Sequence, residues 1–424
     1  MAAAPDYILS VLQWLCLLAV SYYYMLTYLG LARPSRPPAA PPATGFALLI
    51  PAHNEEKVLP PLLESIALQE YPRELIEVYV VADNCTDGTA RVAARAGATV
   101  LERTSPLRGK GYALQFGLRE ILNRSRCAAV CILDADNLLD PLFLSSINAR
   151  LLAGARVVQG RVETKNPLDS WVSASYAINF WLANRLWQLG RARAGLSGLL
   201  CGTGMCFRRE VLAATGWPAT SLTEDLEYTV VLISRGIKVT WAHEAVVFDE
   251  KPDLLGPSCR QRLRWLQGKW QILFSYGPRL FMEALALRSW ARADALLFLL
   301  QPALLLAGPA CALSAALHPH TVVAVTAARE ENPFLLALAL IPYLLPLIAM
   351  YLEKAPAKAY LYLPAYTFFS FTWIPITLAG LLTFWRRAWY RTPHTRAITL
   401  EQRTHLYSLR PAGPHRPGQI RVAP

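Results

Sequence analysis

The chain has 424 residues, 54% apolar and 17% charged, a balance that argues against a wholly water-soluble protein and leaves room for two domains or one domain with membrane segments. Its net charge of +12 is concentrated in a tail, with eight Arg against one Glu over residues 386–424; beside an apolar run this suits anionic lipid headgroups and argues against nucleic acid as the partner. Eight cysteines, Cys16 and Cys311 among them in apolar runs, form no Cys-x-x-Cys pair, which argues for reduced core thiols over a zinc site or a disulfide framework.

Residues 7–32 are almost continuously apolar and aromatic, and long enough to cross a bilayer. Asp6 precedes them, and Arg33 and Arg36 follow. A cleaved leader would start positive and be shorter, so a retained helix is expected, with Met1 outside and Arg33 cytoplasmic. Residues 34–42 form a stiff Pro/Ala linker. From Gly45, short apolar runs alternate with amphipathic segments. Strands are expected at 46–50, 76–82, 98–101, 128–133 and 157–162. Helices are expected at 58–68, 87–96, 111–122 and 141–153, then a long aromatic one at 169–189 and a Gly-rich segment at 195–204. This rhythm predicts an α/β fold with a mostly parallel sheet covered by helices on both faces.

Beyond Arg260 the character changes. Residues 260–287 mix bulky aromatics with Arg and Lys, as helices in a membrane interface do. Three apolar spans follow near 295–317, 333–352 and 360–385, with internal prolines that imply kinks. Three spans would leave the Arg-rich tail outside, against the positive-inside rule. Either one run is re-entrant or doubled, or the rule does not hold here; a cytoplasmic tail is expected. The expected divisions are 1–44, a membrane helix and linker; 45–258, the catalytic domain; 259–290, interfacial helices; 291–386, a membrane region; and 387–424, the tail.

The chemistry centres on residues 128–137, an apolar run that ends in Asp134 and Asp136. Side chains at i and i+2 of an extended segment point the same way, so both acids can converge on one ligand at the carboxyl end of a strand. Their hard oxygens suit Mg²⁺ or Mn²⁺ accompanied by phosphates. Four other clusters accompany them: Pro51, His53 and Glu55 after the first strand; Asp83 to Thr89 after the second; Thr223-Glu224-Asp225 at a helix start; and Gln261, Arg264 and Trp265 at the start of the interfacial region.

In this order, and flanked by apolar spans, the clusters resemble glycosyltransferase family 2 in its membrane-embedded synthase branch, the cellulose, hyaluronan and poly-N-acetylglucosamine synthases. The resemblance implies a GT-A fold, Rossmann-like, and a nucleotide-diphosphate-sugar donor, most often a UDP-sugar. Pro51, His53 and Glu55 would surround the nucleotide, although position 53 is more often Tyr or Arg in the family. Asp83 would bind the base, Asp136 would be the direct metal ligand beside Asp134, and Asp225 would be the general base. Gln261, Arg264 and Trp265 would border the diphosphate and acceptor.

The residues themselves support such roles. A cation at Arg264, and another at Lys110, would stabilise charge on a leaving diphosphate. Asp225 can take the proton of an attacking hydroxyl; the alternative is a helix-start acid beside a Ser221-x-x-Glu224 capping box. Trp265 offers a flat face to a sugar ring, Glu224 has a structural or acceptor-binding part, and Gly202 and Thr203 let an acceptor approach the backbone. His243, Asp249 and Glu250 read as core or supporting positions. The sequons at Asn84 and Asn123 read as accidental in a cytoplasmic domain.

The expectation is a membrane-bound, inverting, metal-dependent β-glycosyltransferase with a cytoplasmic catalytic domain. It would use UDP-glucose or UDP-N-acetylglucosamine and extend a polysaccharide. The alternatives are a lipid acceptor of the ceramide or diacylglycerol type, or a sugar-nucleotide-binding membrane scaffold without turnover.

Overall fold

The computed structural model describes residues 4–317, 333–386 and 396–407. Its centre is an eight-stranded sheet: β1 (Phe46–Ala52), β2 (Ile76–Asp83), β3 (Thr99–Arg103), β4 (Ala129–Ile132), β5 (Leu138–Leu139), β6 (Val157–Thr164), β7 (Met205–Arg208) and β8 (Val239–Asp249), in the order β3-β2-β1-β4-β7-β6-β8-β5. β1 pairs in parallel with β2 and β4, and β2 with β3. β7 runs antiparallel between β4 and β6, β8 lies parallel to β6, and β5 is antiparallel to β8. The parallel half follows the expected rhythm. β7, only four residues long, exists through its pairing and carries no period of its own.

Successive side chains on β1 feed two cores, because alternate residues face opposite sides of a sheet. Phe46, Leu48 and Ile50 pack with α2 (Leu59–Ala67) and α5 (Phe143–Leu152). Ala47 and Leu49 pack with α4 (Lys110–Arg124), α8 (Arg209–Thr215) and α9 (Glu224–Ser234). Each fully buried Leu or Ile here contributes roughly 1.5–3 kcal/mol relative to exposure. Helix α3 (Thr89–Arg95) links β2 to β3.

The long aromatic helix is interrupted. Ser170 caps α6 (Trp171–Leu182) by accepting from the Ser173 N–H at 3.1 Å; a π turn, Ala183–Gln188, then joins α6 to α7 (Leu189–Arg193). The first helix, α1 (Ala4–Gly30), packs on this turn and on α7, so closely that a Cβ at Gly190 of α7 would lie 2.2 Å from the Leu26 carbonyl oxygen.

Residues 260–287 are not several short helices. They belong to one 32-residue helix, α10 (Leu255–Ala286), followed by α11 (Trp290–Leu317). Among the described residues, Val11–Gly30 and Trp290–Ala310 are long and apolar enough to cross a membrane. A further helix, Pro333–Leu352, occupies its expected place. The stretch 360–385 is not one span: two nine-residue helices, Leu363–Phe371 and Trp373–Leu381, meet at Thr372. Buried Arg262 holds that break, donating to the Thr372 hydroxyl at 2.7 Å and stacking 4.1 Å over Phe369. Of the tail, residues 396–407 return to the catalytic domain, where Arg396 meets Asp169 at 2.5 Å and its N–H donates to Glu250 at 3.1 Å. The rest of the tail, 387–395 and 408–424, lies outside the described residues, as does 318–332.

Candidate active site

Because β1, β2 and β4 run parallel, their carboxyl ends share one edge of the sheet, which is where ligands bind in open α/β sheets. Pro51 lies near the end of β1 with His53 and Glu55 just beyond it, Asp83 ends β2, and Asp134 and Asp136 follow β4. Lys110 opens α4, Glu224 and Asp225 open α9, and Gln261, Arg264 and Trp265 lie on α10. These side chains and Gly202 line a single cavity of about 580 Å³. Thr203 does not line it. Its hydroxyl is buried and donates to Asn137 Oδ1.

Asn137 went unnoticed in the sequence, although it directly follows the Asp-Ala-Asp run. Fully buried, its Oδ1 also accepts the Asp134 N–H at 3.0 Å, while its Nδ2 donates to Asp249 at 2.9 Å and Asp136 at 3.3 Å. One amide thus fixes the loop that carries both acids. Lys165, also buried, donates to the Asp136 carbonyl at 2.9 Å. At the end of β2, Arg103 donates to Asp83 at 2.5 Å and Asn84 to the same carboxylate at 2.8 Å. His53 Nδ1 lies 2.7 Å from the Asp83 carbonyl oxygen, so His53 ties the β1 loop to the β2 end.

Lys110 links the two acidic clusters. Its Nζ is 2.5 Å from Asp134 Oδ1, 2.8 Å from the Gly202 carbonyl oxygen and 3.6 Å from Glu224. Burial opposes its charge, but Asp134, Glu224 and Asp225 outweigh burial and hold the ammonium above its ordinary pKa. Asp225 shows the opposite balance for an acid. Burial, then the Glu224 charge, pushes its carboxyl up to about 7, against the pull of the Leu226 N–H, Lys110 and Arg264. A carboxylate that titrates near neutrality is suited to general-base work.

The alternative for Asp225, a Ser221-x-x-Glu224 capping box, is not formed. Thr223 is the N-cap residue of α9 and makes no side-chain cap bond, while Glu227 accepts the Thr220 and Ser221 N–H groups at 3.0 and 2.9 Å. Asp225 is therefore available to the cavity. Gly202 passes close beside it at φ +82°, where a Cβ would lie 3.5 Å from Asp225 Oδ2. Helix α10 comes equally close: a Cβ at Gly268 would lie 2.4 Å from Thr223 Oγ1. Arg264 donates to the Leu222 carbonyl at 3.4 Å, its Nε and Gln261 Oε1 are buried without partners, and Trp265 sits edge-on to Tyr176 at 6.1 Å.

Other wall residues gave no signal in the sequence. Phe180 and Trp187 come from α6 and the π turn, Lys251 from the end of β8, Lys269 from α10, and Phe298 and Gln301 from α11. They belong to packing between elements far apart in the chain. π turns recur at functional sites, and this one puts Ala183 and Trp187 into the wall.

Among the described residues, no three His, Cys, Asp or Glu side chains converge as a complete protein metal site. Asp134 and Asp136 together on the wall fit a different arrangement, a hard divalent ion held by one or two carboxylates and completed by substrate phosphates.

A family model described as "Glycosyltransferase like family 2" matches residues 41–268. The chain is 27% identical over 266 residues to an N-acetylglucosaminyltransferase of Rhizobium meliloti (strain 1021), covering 59% of this chain and 62% of that protein. It is 25% identical over 264 residues to the beta-monoglucosyldiacylglycerol synthase of Nostoc sp. (strain PCC 7120), covering 60% and 54%. The chain thus spans less than two thirds of the length of these curated relatives. Its fold is similar to that of the mannosyltransferase PcManGT from Pyrobaculum calidifontis, solved with GDP-Man and Mn²⁺, at a TM-score of 0.57 and 19% identity over 90% of this chain and 98% of that one. This likeness establishes a GT-A, Rossmann-like fold with flanking helices.

These findings correct the expected branch. The chain groups with sugar transferases of this kind and not with the large multi-pass synthases of cellulose, hyaluronan or poly-N-acetylglucosamine. The expectation failed for a physical reason. The Gln261, Arg264 and Trp265 motif carries no count of membrane spans, whereas a multi-pass channel would show in the helices. Among the described residues two helices are long and apolar enough to span.

Proposed function

Since the chain belongs to glycosyltransferase family 2, we propose that it is a metal-dependent enzyme that moves one sugar from a nucleoside-diphosphate sugar to a hydroxyl of a membrane lipid. The observation that carries this reading is the extent of the cavity. It begins at Asp83 and His53, passes Asp225, and ends on Phe298 and Gln301 of α11, a helix apolar and long enough to cross a membrane. A lipid hydroxyl could reach Asp225 along that wall without its chains entering water. The names of the relatives fit a glucose or N-acetylglucosamine donor and a diacylglycerol-like acceptor. A lipid acceptor replaces the growing polysaccharide expected from the sequence.

In the reaction, the acceptor hydroxyl oxygen bonds to the anomeric carbon. The bond from that carbon to the diphosphate oxygen breaks, and its electron pair leaves with the nucleoside diphosphate. Attack from the side opposite the leaving group inverts the anomeric centre. The hydroxyl proton goes to Asp225, whose burial and acidic neighbour keep it basic enough to accept it. Lys110 and Arg264 would stabilise the charge growing on the diphosphate. A divalent ion, Mn²⁺ or Mg²⁺, held by Asp136 with Asp134 beside it, would supply further neutralisation of that charge. Asp83 and His53 would hold the nucleoside end, and Trp265 and Glu224 the acceptor.

A scaffold without turnover would gain nothing from a carboxylate held near neutrality beside Lys110. The placement of α1 and α11 as membrane anchors, with the catalytic domain on the cytoplasmic face where nucleotide sugars reside, completes the proposal. Membranes carrying the protein, supplied with labelled nucleotide sugars and Mn²⁺, should place label in the organic phase. Label confined to polymer, or released only as free sugar, would refute the lipid acceptor.

A further inference from the structure

The membrane-side end of the cavity holds a lysine that the steps above do not use. Gln261, Trp265 and Lys269 are spaced i, i+4 and i+8 on α10, so they form one stripe, and all three line the cavity. Lys269 lies about 6 Å farther along the helix axis than Trp265, away from Gln261. Its Nζ donates to Gln301 Oε1 at 2.8 Å and stands 3.6 Å over the face of Phe298. Both partners are neutral. Among the described residues no carboxylate stands within ion-pair distance of it. Burial, and after it the like charge of Arg191, itself paired with Asp294 at 2.8 Å, pushes the Lys269 ammonium well below its ordinary pKa. The contrast with Lys110 is plain, since that ammonium is surrounded by acids in the same cavity. A cation held in a cavity without a counter-charge is costly unless a ligand supplies one.

Resting on the lipid-acceptor reading, we propose that the acceptor carries an anionic oxygen group, a phosphate or carboxylate, close to the hydroxyl that receives the sugar, and that Lys269 binds this group. The distances fit. An acceptor whose hydroxyl lies beside Asp225 and Trp265 would place a neighbouring anionic group within the roughly one helical turn that separates Trp265 from Lys269. Gln301 already satisfies one ammonium proton, which orients the others toward the cavity. Phe298 would flank the carbon skeleton next to that group. Lys269 is thus a residue that positions the acceptor and sets its specificity, and it touches no bond that breaks.

The test compares three acceptors under the same labelled donor and Mn²⁺: an anionic phosphoglycerol lipid, a neutral diacylglycerol with the same acyl chains, and soluble glycerol 3-phosphate. The wild-type enzyme should favour the anionic over the neutral lipid by roughly 10- to 100-fold in kcat/KM, the range expected for one charge-assisted contact. Lys269→Met should collapse that ratio, chiefly by raising KM for the anionic lipid, and Lys269→Arg should restore most of it. Because the readout is a ratio within each variant, a loss of folded protein does not mimic it. Equal use of both lipids by the wild type, or an unchanged ratio in Lys269→Met, overturns the role of Lys269. If glycerol 3-phosphate outperforms both lipids, the anionic group stands and the lipid reading falls. If none of the three accepts sugar, both fall.

Discussion

The Lys110 ammonium stands 2.5 Å from Asp134 and 3.6 Å from Glu224, so one cation is shared between the loop after β4 and the helix that carries the proposed base. Its charge lowers the Asp225 pKa, whereas that of Glu224 raises it. The base works deprotonated, so turnover should rise with pH through about 7. Lys110→Gln removes a positive neighbour and should move this limb to higher pH. Glu224→Gln removes a negative one and should move it to lower pH. The dependence of kcat on pH in the two variants provides the check; shifts in the same direction would disqualify Asp225 as the titrating group.

Asp225→Asn keeps the shape of the side chain and removes the proton acceptor. Transfer should fall by on the order of 10²–10⁴, while titration of the nucleoside diphosphate onto the protein stays near wild type. Wild-type turnover at saturating substrates would show that the base lies elsewhere.

Asp136→Ala should weaken Mn²⁺-dependent binding of the nucleoside diphosphate, because the bridge between carboxylate and phosphate is lost. Calorimetry with and without Mn²⁺ separates the two contributions. The part independent of the ion should persist, since Lys110 and Arg264 remain.

Gly268→Ala places a methyl group 2.4 Å from Thr223 Oγ1 and 2.8 Å from its Cγ2. One of the two helices must then move, at a cost of about 1–3 kcal/mol, and the shift falls on the junction that sets Arg264 against Asp225. Thermal unfolding and turnover should both drop. Adding Thr223→Gly removes the obstructing side chain and should recover the unfolding temperature. A single variant as stable as the wild type would mean that the two helices are not held at this contact.

The parallel half of the sheet and most acidic candidates could be read in advance, because they rest on local signals. A buried strand shows as an apolar run, and its end as a polar cluster. Asp134, Asp136 and Asp83 occupy such ends. What stayed hidden depends on encounters across the chain. β7 acquires its identity from β4 and β6. Asn137 acts through Asp249, 112 residues away. Lys269 becomes a cavity residue through Phe298 and Gln301 on the next helix. The prolines implied kinks in 360–385 but not the place of the break at Thr372, which Arg262 holds from another helix. The membrane-synthase expectation failed in the same way, through a motif that carries no count of spans.

The seating of α1 has a practical consequence for anyone preparing this enzyme. Tyr22 donates to Asp294 at 2.6 Å, the same carboxylate that receives Arg191, and the helix backbone lies flush against Gly190. Trimming the first 44 residues to obtain a soluble catalytic fragment would therefore not cut a leash. It would uncover a guanidinium–carboxylate pair designed for a dry setting and bare the apolar side of the π turn, and the fragment should aggregate. Detergent or nanodisc preparations that retain the leading helix are the ones expected to yield a homogeneous, active sample.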